Sequence, residues 1–181
     1  MMDLSERQWV KHAVFHPLEG FEDMRWKKSG SLRAAFLIVG LLFLGDIAYE
    51  RLFGMQFHIA EDKLFSIVPF IMRSFVLFGV WTIGNWAVCT LLDGEGTMRN
   101  ICIYSAYALV PYVVQLWVRV LLSHILITDE MVFMEVIKII GISWTILLLF
   151  SAVKSVHQYT FGKTLAAIAL TLGAMLIMLV L

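Results

Sequence analysis

Five ionisable side chains lie in or at the ends of long apolar runs: Asp46, Arg73, Arg119, Glu135 and Lys138. A charge in lipid is costly, so residues of this kind pair with one another or line a path for an ion or a substrate. The spacing predicts that Asp46 or Glu135 takes a basic partner from Arg73, Arg119 and Lys138. Glu135 and Lys138 are three apart, an ordinary pair on one helix face. A second set is polar and turn-like. Asp93-Gly94-Glu95-Gly96-Thr97 has two glycines that permit positive φ and a threonine placed to cap the following helix. No Lys-Ser/Thr follows and two acids would repel phosphate, so the run is not a phosphate loop. His157, Tyr159 and Lys163 form a further polar group, read as a turn. Asn85, next to Trp86, reads as a buried amide that bonds a neighbouring helix, and both residues are expected at a helix-packing face.

Catalytic and metal chemistry find little to work with. His12 and His16 are four apart, the spacing of two ligands on one helix face. A stable site needs a third and usually a fourth ligand, and Pro17 breaks the geometry. No Ser or Cys has a positioned His–acid pair. Neither catalytic residue, metal nor cofactor is expected. Cys89 and Cys102 both lie in apolar runs and read as small buried hydrophobes rather than a disulfide framework.

The elements that must carry these residues follow from composition. The chain has 181 residues, 60% hydrophobic and 15% charged, and a mean hydropathy of +0.83. A water-soluble globule of this size cannot hide so much apolar side chain. Disorder needs the opposite composition. Fourteen basic residues balance fourteen acidic ones, which gives no argument for a nucleic-acid partner. The bilayer is therefore the solvent. A span needs roughly 20 mainly apolar residues. Five are expected, at about 32–52, 68–92, 100–122, 132–154 and 162–181. The expected fold is all-α, a polytopic bundle of five transmembrane helices, since helices satisfy their own backbone in lipid. Pro111 lies within the third span and should kink it. Ala169 and Gly173 form a small-xxx-small pair that should let the fifth span pack closely.

Two units are read: residues 1–31, a cytoplasmic or interfacial segment, and residues 32–181, the five-helix domain. The first segment is too long and too charged for a signal peptide. Its Trp9, Val10, Ala13 and Val14 make a short amphipathic helix broken at Pro17, suited to the headgroup layer. Connections on the N-terminal side hold eight Lys and Arg, those on the far side two. That asymmetry puts the N-terminus in the cytoplasm, the C-terminus outside, and the five charges in the outer half of a multi-pass cell-membrane protein.

Several stretches stand out together: His16-Pro17 and Phe21 ahead of Lys27-Lys28-Ser29-Gly30-Ser31, and Asn85-Trp86 followed by Leu91-Leu92-Asp93-Gly94-Glu95-Gly96-Thr97. They continue through Tyr104-Ser105-Ala106-Tyr107-Ala108-Leu109-Val110-Pro111, Asp129-Glu130 and His157-Gln158-Tyr159-Thr160-Phe161-Gly162-Lys163. In these stretches the chain resembles the bacterial branch of the Yip1 family. The aspartate–glycine turn followed by the tyrosine–proline helix is the specific part. The resemblance implies a five-helix membrane protein with a cytoplasmic N-terminus and no established enzymatic activity. It points to a membrane-protein partner, with an ABC-type carbohydrate uptake system as one candidate.

The expected role is a non-enzymatic membrane adaptor or accessory subunit. It would work through helix–helix contacts and a cytoplasmic platform of Asp93, Gly94, Glu95, Gly96, Thr97, His157, Tyr159 and Lys163, in which two loops of opposite charge come together, Asp93 and Glu95 on one and Lys154 and Lys163 on the other. Its partners would be lipid and a membrane protein or a second copy of the chain. The alternative is a small, oligomeric transporter or channel that uses the outer-half charges.

Overall fold

Apolar runs too long for a buried soluble helix become spans. In the computed structural model, which describes residues 5–54, 57 and 65–180, five helices are long and apolar enough to cross a membrane. Two short helices come first, α1 (Glu6–Phe15) and α2 (Glu19–Trp26), separated at Pro17. The spans are α3 (Leu32–Arg51), α4 (Val68–Leu91), α5 (Met98–Leu122), α6 (Met131–His157) and α7 (Phe161–Val180). No strand occurs among the described residues. The segment 58–64, with Lys63, and Leu181 lie outside them. The proximal end of the bundle holds α1, α2 and the 92–97 and 158–160 connections. The distal end holds the 123–130 connection.

The central pillar is α5. It packs against α3, α4 and α6, while α7 packs on α4 and α6. Close approach between α5 and α6 depends on Gly141. A Cβ there would lie 2.3 Å from Gln115 Cγ and 3.3 Å from the Pro111 carbonyl oxygen. The interruption expected at Pro111 falls two residues earlier. α5 is built of two segments, Met98–Ala108 and Val110–Leu122, that meet at Leu109. Proline removes a donor and crowds the carbonyl four residues back, so the turn before it opens. Within α4, residues Met72–Val76 form a π turn, with the Leu77 N–H on the Met72 carbonyl.

The two sequence units share one core. Trp9, Ala13, Phe21 and Met24 are buried in the same cluster as Ile101, Tyr104, Tyr107, Leu148 and Ala152. The apolar face of the N-terminal segment therefore covers protein. Phe15, Leu18 and Trp26 stay exposed. Trp144 Nε1 donates to the Val14 carbonyl at 3.0 Å, so α1 reaches back along α6 as far as its middle.

Two packing expectations need correction. Trp86 faces outward, 42% exposed. The buried tryptophan of α4 is Trp81, whose Nε1 donates to Ser105 Oγ at 3.0 Å. Trp81, Asn85 and Cys89 share the inner face at a spacing of four, and Trp86 is turned about 100° from it. Ala169 and Gly173 do not carry the packing of α7. Both are exposed, a Cβ on Gly173 meets nothing within 4 Å, and the inner face is Thr164, Ala167 and Thr171. Gly173→Ala should therefore raise stability by about 0.5–1 kcal/mol, the helix-propensity difference alone. A lower melting temperature in detergent would mean that this face is covered.

Candidate functional site at the proximal end

Three helices stop at the proximal end by the same device. Lys28, Asp93 and Gln158 take left-handed φ of 48°, 56° and 56°. In each case the next N–H bonds back five residues: Ser29 to the Met24 carbonyl at 2.9 Å, Gly94 to Cys89 at 2.8 Å and Tyr159 to Lys154 at 3.2 Å. This closure satisfies carbonyls that a helix end leaves open. In the 93–97 turn the left-handed residue is thus Asp93, and neither Gly94 nor Gly96 uses positive φ. The glycines serve close approach instead. A Cβ on Gly94 would sit 2.5 Å from His157 Nδ1 and 2.6 Å from the Tyr159 hydroxyl oxygen. On Gly96 it would sit 2.3 Å from Val156 Cγ1 and 2.6 Å from His157 Cε1.

That approach completes a buried chain of hydrogen bonds. The Gly96 N–H donates to His157 Nδ1 at 3.3 Å. With Nδ1 accepting, the proton is assigned to Nε2, which donates to Asn85 Oδ1 at 3.1 Å. Asn85 Nδ2 donates to Thr171 Oγ1 at 3.3 Å, and Thr171 donates to the Ala167 carbonyl at 2.7 Å. Asn85 is fully buried. One amide thereby joins α4, α6 and α7. His157 is the last residue of α6 rather than part of a solvated turn, because α6 runs three residues beyond the expected end. Beside it, the Tyr159 ring stacks on the His157 ring with centroids 5.3 Å apart. Its hydroxyl reaches the Cys89 and Leu92 carbonyls at 3.0 and 3.1 Å. Burial raises the Tyr159 phenol well above its ordinary range, with Cys89 and Asp93 adding to the effect. The hydroxyl therefore stays a donor. Lys163 Nζ lies over the Tyr159 ring, 4.6 Å from its centroid.

The eight platform residues are brought together at this end, but not as two loops of opposite charge facing each other. The N-terminal segment takes their charged partners. Arg25 donates to Glu95 and to the Ser155 and Val156 carbonyls at 2.9 and 3.1 Å, closing the end of α6. Lys154 lies 4.0 Å from Glu22. Arg25 is a residue that sequence reasoning missed. No spacing announces a contact across 130 positions. Thr97 caps α5, its side chain accepting from the Asn100 N–H at 3.3 Å.

His12 Nε2 meets Asp23 Oδ2 at 2.9 Å, joining α1 to α2. Among the described residues no group of three or more His, Cys, Asp and Glu is placed to hold a metal.

The five intramembrane charges gather at the distal end. Lys138 Nζ donates to Glu135 Oε2 at 3.1 Å, and Arg119 lies 3.7 Å from the same carboxylate. Arg119 also donates to the Tyr49 hydroxyl at 2.9 Å, and its Nε has no partner among the described residues. Asp46 accepts from Ser74 Oγ at 3.0 Å. The π turn in α4 supplies both Ser74 and Arg73. Arg73, Arg119, Glu135 and Lys138 share a cleft of about 430 Å³ with Tyr49 and Glu50.

Neither a curated protein nor a solved structure matches the chain. A family model described as the Yip1 domain matches residues 11–181. That match covers almost the whole length, and the chain belongs to the Yip1 domain family.

Proposed function

We propose that this member of the Yip1 domain family is a non-enzymatic adaptor or accessory subunit of the cell membrane, with its docking face at the proximal, cytoplasmic end. One observation carries the reading. Exposed Asp93, Glu95 and Thr97 stand on a turn fixed from beneath by His157, Asn85 and Tyr159. A contact surface on a rigid base loses little freedom on binding. The basic residues of the proximal connections support a cytoplasmic N-terminus and an external C-terminus. The partner proposed is another membrane protein. The family resemblance favours an ABC-type carbohydrate uptake system, and a second copy of the chain is the other arrangement.

The test is partner recovery from mild detergent. Asp93→Asn keeps a residue that tolerates left-handed φ, and Lys163→Gln removes the cation over the Tyr159 ring. With melting temperature unchanged, the pair should lower recovery several-fold. Undiminished recovery removes this face from the contact. A reporter inserted at Gly94 should read cytoplasmic and one fused after Leu181 external. Both on one side would contradict this topology.

A second reading, a small oligomeric transporter or channel, is favoured by the distal cleft and its buried Arg119. It requires solute flux in proteoliposomes that Lys138→Gln changes without loss of folding.

A further inference from the structure

We propose that a second cleft, between α2 and the start of α5, binds the phosphate group of an anionic phospholipid from the adjacent leaflet. This goes beyond the adaptor reading and holds whichever way the bundle faces.

The cleft measures about 580 Å³ and is lined by Arg25, Lys28, Glu95, Thr97, Arg99 and Asn100, with Tyr104 and Val156. Three cations thus meet one carboxylate, and that carboxylate is already held by Arg25. Arg25 is further occupied by the two carbonyls at the end of α6. Lys28 and Arg99 make no ion pair among the described residues and leave the cleft with surplus positive charge. The backbone under Lys28 is fixed by the left-handed closure of α2.

Two kinds of donor complete the arrangement. α5 starts at Met98, so the Met98 and Arg99 N–H groups have no acceptor within the helix. Tyr104 is 2% exposed, lines the cleft, and its hydroxyl has no hydrogen-bond partner among the described residues. The hydroxyl opens on the cleft rather than into packed protein, and a phosphate oxygen there would accept its hydrogen bond.

The surroundings favour a lipid as the source of that phosphate over a free ion. The cleft opens where α5 begins and α6 ends, at the depth of the headgroups. Trp26 follows Arg25 in the chain and is 81% exposed. A bare tryptophan among basic residues suits the membrane interface.

The test uses the full chain in a neutral detergent, titrated with short-chain phosphatidylglycerol, phosphatidylcholine or inorganic phosphate, and read by thermal shift. Phosphatidylglycerol should stabilise the protein saturably, and the other two should do so much less. A basic residue at the surface is worth about fivefold in lipid affinity, so Lys28→Gly with Arg99→Gln should weaken binding about thirtyfold. Tyr104→Phe should weaken it about tenfold. Lys138→Gln, at the distal end, should leave it unchanged. Lys28 and Arg99 are exposed, so their removal leaves the core intact, and the unliganded melting temperature checks this. Unaltered phosphatidylglycerol affinity in the double variant would overturn the proposal. So would equal stabilisation by inorganic phosphate.

Discussion

Asn85→Leu should lower the unfolding free energy in detergent by about 3 kcal/mol. The leucine has the same branched shape and is the larger of the two, so none of the loss comes from a cavity. The loss comes from stranding His157 Nε2–H, which now donates to Asn85 Oδ1 at 3.1 Å in a buried site. A buried donor left without an acceptor costs about 1–3 kcal/mol, and the Asn85–Thr171 bond goes with it. His157→Leu should cost a similar amount, because it strands Asn85 Oδ1 and the Gly96 N–H. The double variant Asn85→Leu/His157→Leu removes both members of the central bond. Its loss should fall short of the sum of the single losses by at least about 1 kcal/mol. Strict additivity would show that the two side chains do not act through each other.

Gly94→Ala should be as damaging, at about 3 kcal/mol or more. The new methyl would lie 2.5 Å from His157 Nδ1, 2.6 Å from the Tyr159 hydroxyl oxygen and 2.8 Å from the Cys89 carbonyl oxygen. The last is backbone in the final turn of α4, and both side chains are held by hydrogen bonds. Overpacking of this kind costs about 1–3 kcal/mol, and displacing the Tyr159 hydroxyl from its carbonyls adds about 1. Thermal unfolding of this variant beside Gly173→Ala makes the comparison sharp. The same added methyl should destabilise at one position and stabilise at the other. An unchanged melting temperature for Gly94→Ala would refute the close packing of the turn on His157.

The length of apolar runs made the five spans readable from sequence, because a bilayer demands that length whatever the neighbours are. The buried role of Asn85 was readable for the same reason: an amide in a span needs a partner. Which side of each span faces inward was harder. In water, hydrophobicity marks the inner face; in lipid, both faces are apolar and the mark is lost. Trp86 and Trp81 are chemically equal candidates, and only the helix contacts choose Trp81. Ala169 and Gly173 have the spacing of a packing motif on a face that meets no other span of the chain. The grouping of the 93–97 turn with His157 and Tyr159 followed from topology, since both connections lie at one end. The role of Arg25 did not, because its bonds to Glu95 and to the end of α6 depend on how α2 folds back over the bundle.

The π turn at Met72–Val76 has a consequence for how α4 can change. It holds one residue more than a regular helix of the same rise. The wide turn takes up that residue, so the regular helix on either side keeps the direction it would have without it. Deleting one residue there would let the helix close regularly and leave Trp81 on Ser105 and Asn85 on His157 where they are. Ser74 on Asp46 and Arg73 in the distal cleft lie inside the turn, so they alone would be re-aimed. The turn is a loop of slack in the shaft: one residue can be let out or drawn in at the distal end while the proximal end stays still.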